Sequence, residues 1–100
     1  MTITEKIGLS ALLGQGAEEC CELGQALLKY QRLDPEWVNR PAYDDADALI
    51  NNIVEEIADV ENLILLIRKA LDISQNDVCM IRDRKMKRWA ARLGLTTEEQ

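Results

Sequence analysis

Glu18-Glu19-Cys20-Cys21-Glu22 and Glu55-Glu56-Ile57-Ala58-Asp59 are two acidic stretches of one form. Each carries carboxylates three residues apart, Glu19 with Glu22 and Glu56 with Asp59, so on a helix turning ~100° per residue each pair leaves one flank. Working outward from Cys20 gathers Leu13, Gly16, Leu23, Gly24 and Leu27 into an apolar stripe, with Glu19 at its border and Glu22 one step further round. Taking Ile57 as centre gathers Ile50, Ile53, Val60, Ile64 and Leu71, with Glu56 and Asp59 at the same two angular positions. Two long helices of matching design are expected, packed stripe to stripe. Such packing collects Glu19, Glu22, Glu56 and Asp59 at the rim of a core, where unneutralised carboxylates repel. A hard divalent cation relieves the repulsion. Magnesium takes oxygen ligands and is completed by substrate phosphates, with manganese as a substitute. The alternative is a solvated helix surface that happens to be acidic.

The remaining punctuation sets the helix ends. Thr2 with Glu5 forms a capping-box pattern, so helix is expected from near Ile3 to about Leu33, opposed by Gly8, Gly14, Gly16 and Gly24, with a break expected near Ser10 or Gly14. Those glycines either let another helix approach or leave room for a nucleotide. Asp34-Pro35 opens at most a short turn, and Pro41 keeps residues 39–43 in a loop. Asp44 caps the second long helix, which runs to about Leu71. Its segment Leu63-Ile64-Leu65-Leu66-Ile67 is apolar nearly all round, more than one partner within the chain can cover, and predicts a subunit interface. Ser74 with Asp77 starts a third helix that ends near Gly94, and residues 96–100 read as a frayed tail. The expectation is one all-α domain over residues 1–100: an antiparallel bundle of two long helices and a third, basic one, completed by oligomerisation.

Composition narrows the class further. A chain that is 47% hydrophobic, with two prolines and no phenylalanine, suits a helix-rich domain with a modest core. Net charge of −6 argues against general attraction to nucleic acid or to an anionic membrane. No apolar run approaches the ~18 residues of a membrane span, and the amino-terminal residues are too polar for a secretory signal, so a cytoplasmic protein is expected. Cys20, Cys21 and Cys79 form no CxxC pair and read as reduced thiols filling core or near-core space. The chain has no histidine. That disfavours an activated cysteine nucleophile, the usual zinc sites and a di-iron bundle.

Six of the twelve basic residues, Arg82, Arg84, Lys85, Lys87, Arg88 and Arg92, fall in one stretch of the third helix. With Trp89 as centre its inward face takes Val78, Met86 and Leu93, yet Arg82 and Lys85 fall there too, with Arg92 beside them. Either their stems cover the core while the charged heads reach solvent and acids, or they meet phosphate. Lys85 is the first candidate for phosphate, followed by Arg88, Arg82 and Arg92, whereas Arg84 and Lys87 read as surface charges. Trp37 and Tyr43, with Tyr30 and the loop residues Asn39 and Arg40, are candidates to stack on and select a nucleobase. Trp37 serves equally well as a lid over the core.

The order Glu-Glu-x-x-Glu followed downstream by Glu-x-x-Asp resembles the metal motif of the MazG-like, all-α nucleoside triphosphate pyrophosphohydrolases. Ala17-Glu18-Glu19-Cys20-Cys21-Glu22-Leu23, Val54-Glu55-Glu56-Ile57-Ala58-Asp59-Val60 and Lys85-x-x-Arg88-x-x-x-Arg92-Leu93 look like phage- and bacterial-type members, and the resemblance spans about Leu9 to Leu93. It departs in the intervening residues 23 to 55, since the family's two motif halves often lie closer. The resemblance implies hydrolysis of a nucleoside triphosphate between its α and β phosphates. Glu19, Glu22, Glu56 and Asp59 would hold magnesium, a motif acid such as Glu22 would activate water, and Lys85 would offset charge on the leaving group. A homodimer or homotetramer is expected. No Walker-type glycine loop is present, which disfavours P-loop cleavage of the γ-phosphate. The rival from another class is a noncatalytic helical module whose apolar second helix is its working surface.

Overall fold

The structure, a computed structural model, describes residues 1–34, 36 and 45–95. Four helices account for 83% of them and no strand occurs among them, so the chain is all-α. The helices are α1 (Ile3–Ile7), α2 (Leu9–Gln31), α3 (Ala46–Ala70) and α4 (Gln75–Arg92). The chain divides into two compact units, Met1–Ala70 and Leu71–Gln100, each described by itself.

In the first unit the expected capping box is present. The Thr2 hydroxyl accepts from the Glu5 N–H at 3.0 Å, and the Glu5 carboxylate accepts from the Thr2 N–H at 3.3 Å. The second stretch of helix ends at Gln31, near the expected Leu33, and the break lies two residues before Ser10. It falls at Gly8, whose φ of +86° is open to glycine and strained for other residues. Thr2, Thr4 and Glu5 share a groove of about 320 Å³ with Leu66, Lys69 and Ala70, so α1 lies at the carboxyl end of α3. At the start of α3 it is Asp45, one residue after the expected cap, whose carboxylate accepts from the N–H groups of Asp47 at 2.9 Å and Ala48 at 3.4 Å.

α2 and α3 pack as an antiparallel hairpin. Gly16 lies beside Leu63 and Ile67, while three residues on Glu19 meets Glu56 and Asp59. A Cβ built on Gly16 would sit 2.7 Å from Cδ1 of Ile67, so the bare backbone of Gly16 makes room for the end of that side chain. The inward line of α2 runs through buried Leu12, Gly16 and Ala26 and half-buried Glu19 and Leu23, and the half-buried line of α3 runs Leu49, Ile53, Glu56, Val60, Leu63, Ile67. Both are turned one residue from the expected stripes, so Glu19 and Glu56 occupy the seam instead of its border. Cys20 is exposed, as are Cys21 and Cys79, and the expectation of thiols in core space is corrected. Within residues 63–67, Ile64 and Leu65 remain exposed.

In the second unit Ser74 caps α4, its hydroxyl accepting from the Asp77 N–H at 3.4 Å. The helix stops as expected at Gly94, which takes φ +74° while Gly94 N–H reaches Ala91 O and Leu95 N–H reaches Ala90 O, the pattern of a Schellman motif. The inward face expected around Trp89 does not form. Trp89 is 60% exposed and Ala90 is the buried residue. No described helix is long and apolar enough to cross a membrane.

Candidate metal centre

Glu19 comes from the middle of α2, and Glu56 and Asp59 from successive turns of α3, so their positions are set by two regular helices instead of a loop. One oxygen of each of the three lies within 4.8 Å of the others. Glu19 is anchored by Gln15, one turn earlier, whose amide donates to Glu19 Oε1 at 3.0 Å. This bond occupies Glu19 Oε1 and leaves Glu19 Oε2 without it. Glu19 Oε2 and Glu56 Oε2 are both screened from solvent and have no hydrogen-bond partner among the described residues.

Two ionised carboxylates within 4.8 Å repel by about 3–4 kcal/mol at an effective dielectric near 20. Buried oxygens without partners add a desolvation cost of about 1–3 kcal/mol each. A divalent cation between them removes both penalties. At ~2.1 Å from each ligand, octahedral magnesium spaces neighbouring oxygens about 3–4 Å apart, within the observed spread. The acids therefore fit such an ion, and the fit rests on the two orphaned oxygens.

Glu22, the fourth acid of the expected set, is exposed and is not one of the three whose oxygens all lie within 4.8 Å of one another, but it lies beside Glu19. Its carboxyl pKa is raised above the ordinary 4.5, first by the negative charge of Glu19, then by desolvation, then by Glu56 across the hairpin. A raised pKa means that folding favours the protonated form. Stability from this source is present below the unfolded-state value and lost as pH rises through the folded one. In metal-free protein Glu22→Gln is therefore expected to gain denaturant resistance over wild type at pH 7 and to lose the advantage at pH 4. Equal differences at both pH values would show that Glu22 ionises without strain.

On α4, Lys85, Arg88 and Arg92 line one open groove of about 210 Å³, as their spacing of three and four residues dictates. Arg82 belongs to a separate groove with Cys79, Asp83 and Met86. Lys87 is paired with Asp83 at 3.0 Å on the surface, in keeping with the role expected of it. The base-contact candidates Trp37, Asn39, Arg40 and Tyr43, the Asp44 cap and the tail 96–100 lie outside the described residues. Tyr30 lines an open groove with Gln31, Leu33 and Asp34 at the end of α2.

No protein-family model, curated protein or solved structure matches this chain. Gly16 is the residue whose part in the centre was least legible, since four glycines dot the first thirty residues. The available signal was its place one turn before Glu19, where a missing side chain draws the second helix close.

Proposed function

We propose that this chain is a magnesium-dependent nucleoside triphosphate pyrophosphohydrolase of the MazG-like kind, acting on the cytoplasmic nucleotide pool and assembled from more than one copy. The observation that carries the reading is that Glu19 and Glu56, each with one screened oxygen lacking a partner among the described residues, bring carboxylate oxygens within 4.8 Å of each other and of Asp59. In the second unit, the groove of Lys85, Arg88 and Arg92 has a charge suited to a polyphosphate.

Glu19, Glu56 and Asp59 would hold the ion, with Glu22 at the rim. Bound there, magnesium would supply polarisation of phosphate oxygens and a more acidic water. Glu22 is the acid best placed to take a proton from the attacking water, because its neighbours raise its proton affinity above that of an ordinary carboxylate. Water adds at the α-phosphorus as the bond to the α–β bridging oxygen breaks, giving nucleoside monophosphate and pyrophosphate. Lys85 and its neighbouring arginines offset charge on the departing pyrophosphate.

The test is release of pyrophosphate from a panel of canonical and modified nucleoside triphosphates, with magnesium and with chelator. Release only with magnesium is expected. Lys85→Ala is expected to lower turnover by on the order of 10² while helix content by circular dichroism persists, and full activity in that variant would remove Lys85 from the site. The second reading, a noncatalytic helical module, is favoured by the exposed apolar residues of α3. It prevails if no triphosphate yields pyrophosphate and if Glu19→Gln and Asp59→Asn leave nucleotide affinity unchanged.

A further inference from the structure

Gln15 and Glu19 stand four residues apart on α2, the spacing at which side chains on a helix meet. Gln15 is exposed and Glu19 half-buried. The bond between them runs from the Gln15 amide to Glu19 Oε1 at 3.0 Å. The other oxygen, Oε2, is screened from solvent and has no partner among the described residues. The two oxygens of one carboxylate are thus in different states, one engaged by the chain and the other open to a ligand. The residue that makes the difference is neutral. A lysine or arginine one turn before Glu19 would pair with its charge, whereas an amide fixes the carboxylate and leaves the whole charge for a cation.

That asymmetry bears on which cation the acids prefer. A carboxylate meets a metal ion either through one oxygen or through both. Magnesium demands near-ideal octahedral geometry at ~2.0–2.1 Å, and the two oxygens of one carboxylate lie too close together to fill neighbouring octahedral positions. It therefore takes one oxygen from each acid. Calcium accepts about six to eight oxygens at ~2.3–2.6 Å in a looser shell, and carboxylates often give it both. For Glu19 to give both, Oε1 must turn toward the ion and away from the amide that holds it. The bond from Gln15 therefore opposes the mode of binding that suits calcium and is compatible with the one that suits magnesium.

We propose that Gln15 is a positioning residue that makes Glu19 a ligand through one oxygen and so biases the centre toward magnesium and against calcium. Gln15 touches neither ion nor substrate in this role and acts through the carboxylate it holds, as the outer partners of metal ligands do. The inference rests on the proposed function only in that the acids hold a divalent ion. It is independent of which bond of which substrate is cleaved.

Isothermal titration of magnesium chloride and of calcium chloride into the full chain, without nucleotide, reads the two affinities. Wild type is expected to bind magnesium the more tightly. Gln15→Met keeps the length of the side chain and its helix propensity but has no donor. It is expected to weaken magnesium binding by on the order of 10-fold while calcium binding holds or tightens, so that the ratio of the two affinities falls. Helix content by circular dichroism and melting in chelator are expected to stay close to wild type. Equal losses for both ions would make Gln15 a structural support and overturn the proposal, as would a wild type that prefers calcium. A Gln15→Met protein with the wild-type ratio removes this inference alone, whereas a wild type that binds neither ion removes the metal centre and the proposed function with it.

Discussion

Glu56→Gln is expected to change two properties in opposite directions. In chelator the variant melts above wild type, because an amide replaces one of two charges held within 4.8 Å and can donate to Glu19 Oε2, which has no partner of its own. With magnesium the order reverses. An ion present at about 100 times its dissociation constant adds about 2.7 kcal/mol to wild type, which for a domain of this size is a rise of roughly 10–20 °C in Tm. The variant shows little of that rise. Its kcat/KM for a triphosphate falls by on the order of 10³, equivalent to about 4 kcal/mol of transition-state stabilisation. Differential scanning calorimetry with and without magnesium, beside a pyrophosphate assay, reads both. A variant no more stable in chelator and equally responsive to magnesium would mean that the acids share space without sharing an ion.

The second large effect belongs to Gly16. Leucine at this position must fit where even a methyl carbon would lie 2.7 Å from Ile67 Cδ1, so the two helices must part. Overpacking of this kind costs about 1–3 kcal/mol. Separation of α2 and α3 also spreads Glu19 from Glu56 and Asp59. Gly16→Leu is therefore expected to lower Tm and, in protein that remains folded, to weaken magnesium binding measured by isothermal titration. Alanine is a finer probe. It gains about 1 kcal/mol of helix propensity but must push aside the end of one flexible side chain. Ile67→Val deletes that end, at a usual cost of about 0.5–1.5 kcal/mol. In a double-mutant cycle the Ile67→Val cost is expected to shrink when alanine occupies position 16. Strict additivity would show that the two residues do not touch.

Helix periodicity located α2, α3 and α4 because each pattern runs for many turns and has a chemical marker at an end, such as Ser74 before α4 or Gly94 after it. It placed the break in the first helix only to within two residues. Four glycines offer the same freedom, and only the positive φ of Gly8 distinguishes the one that uses it. The helix rotation was misread for a different reason. Both long helices carry two adjacent apolar seams, and centring on Cys20 and Ile57 selected the exposed one. Only packing reveals that the hairpin closes on the other. The convergence of Glu19, Glu56 and Asp59 was legible from spacing, whereas their depth was not, because an acid in a seam and an acid at its border differ by a rotation that no single pattern resolves. Cysteine behaved likewise: Cys20 looked internal through the same choice of centre.

Gly8 turns the chain so that Thr2 and Ala70 line one groove, although almost seventy residues separate them along the backbone. The first unit thus has its two ends side by side. A linker of a few residues could join them into a ring without disturbing the hairpin between, and new termini could then be opened elsewhere. The unit's wiring is in that sense circular, and the point at which the polypeptide starts is a choice its packing does not impose.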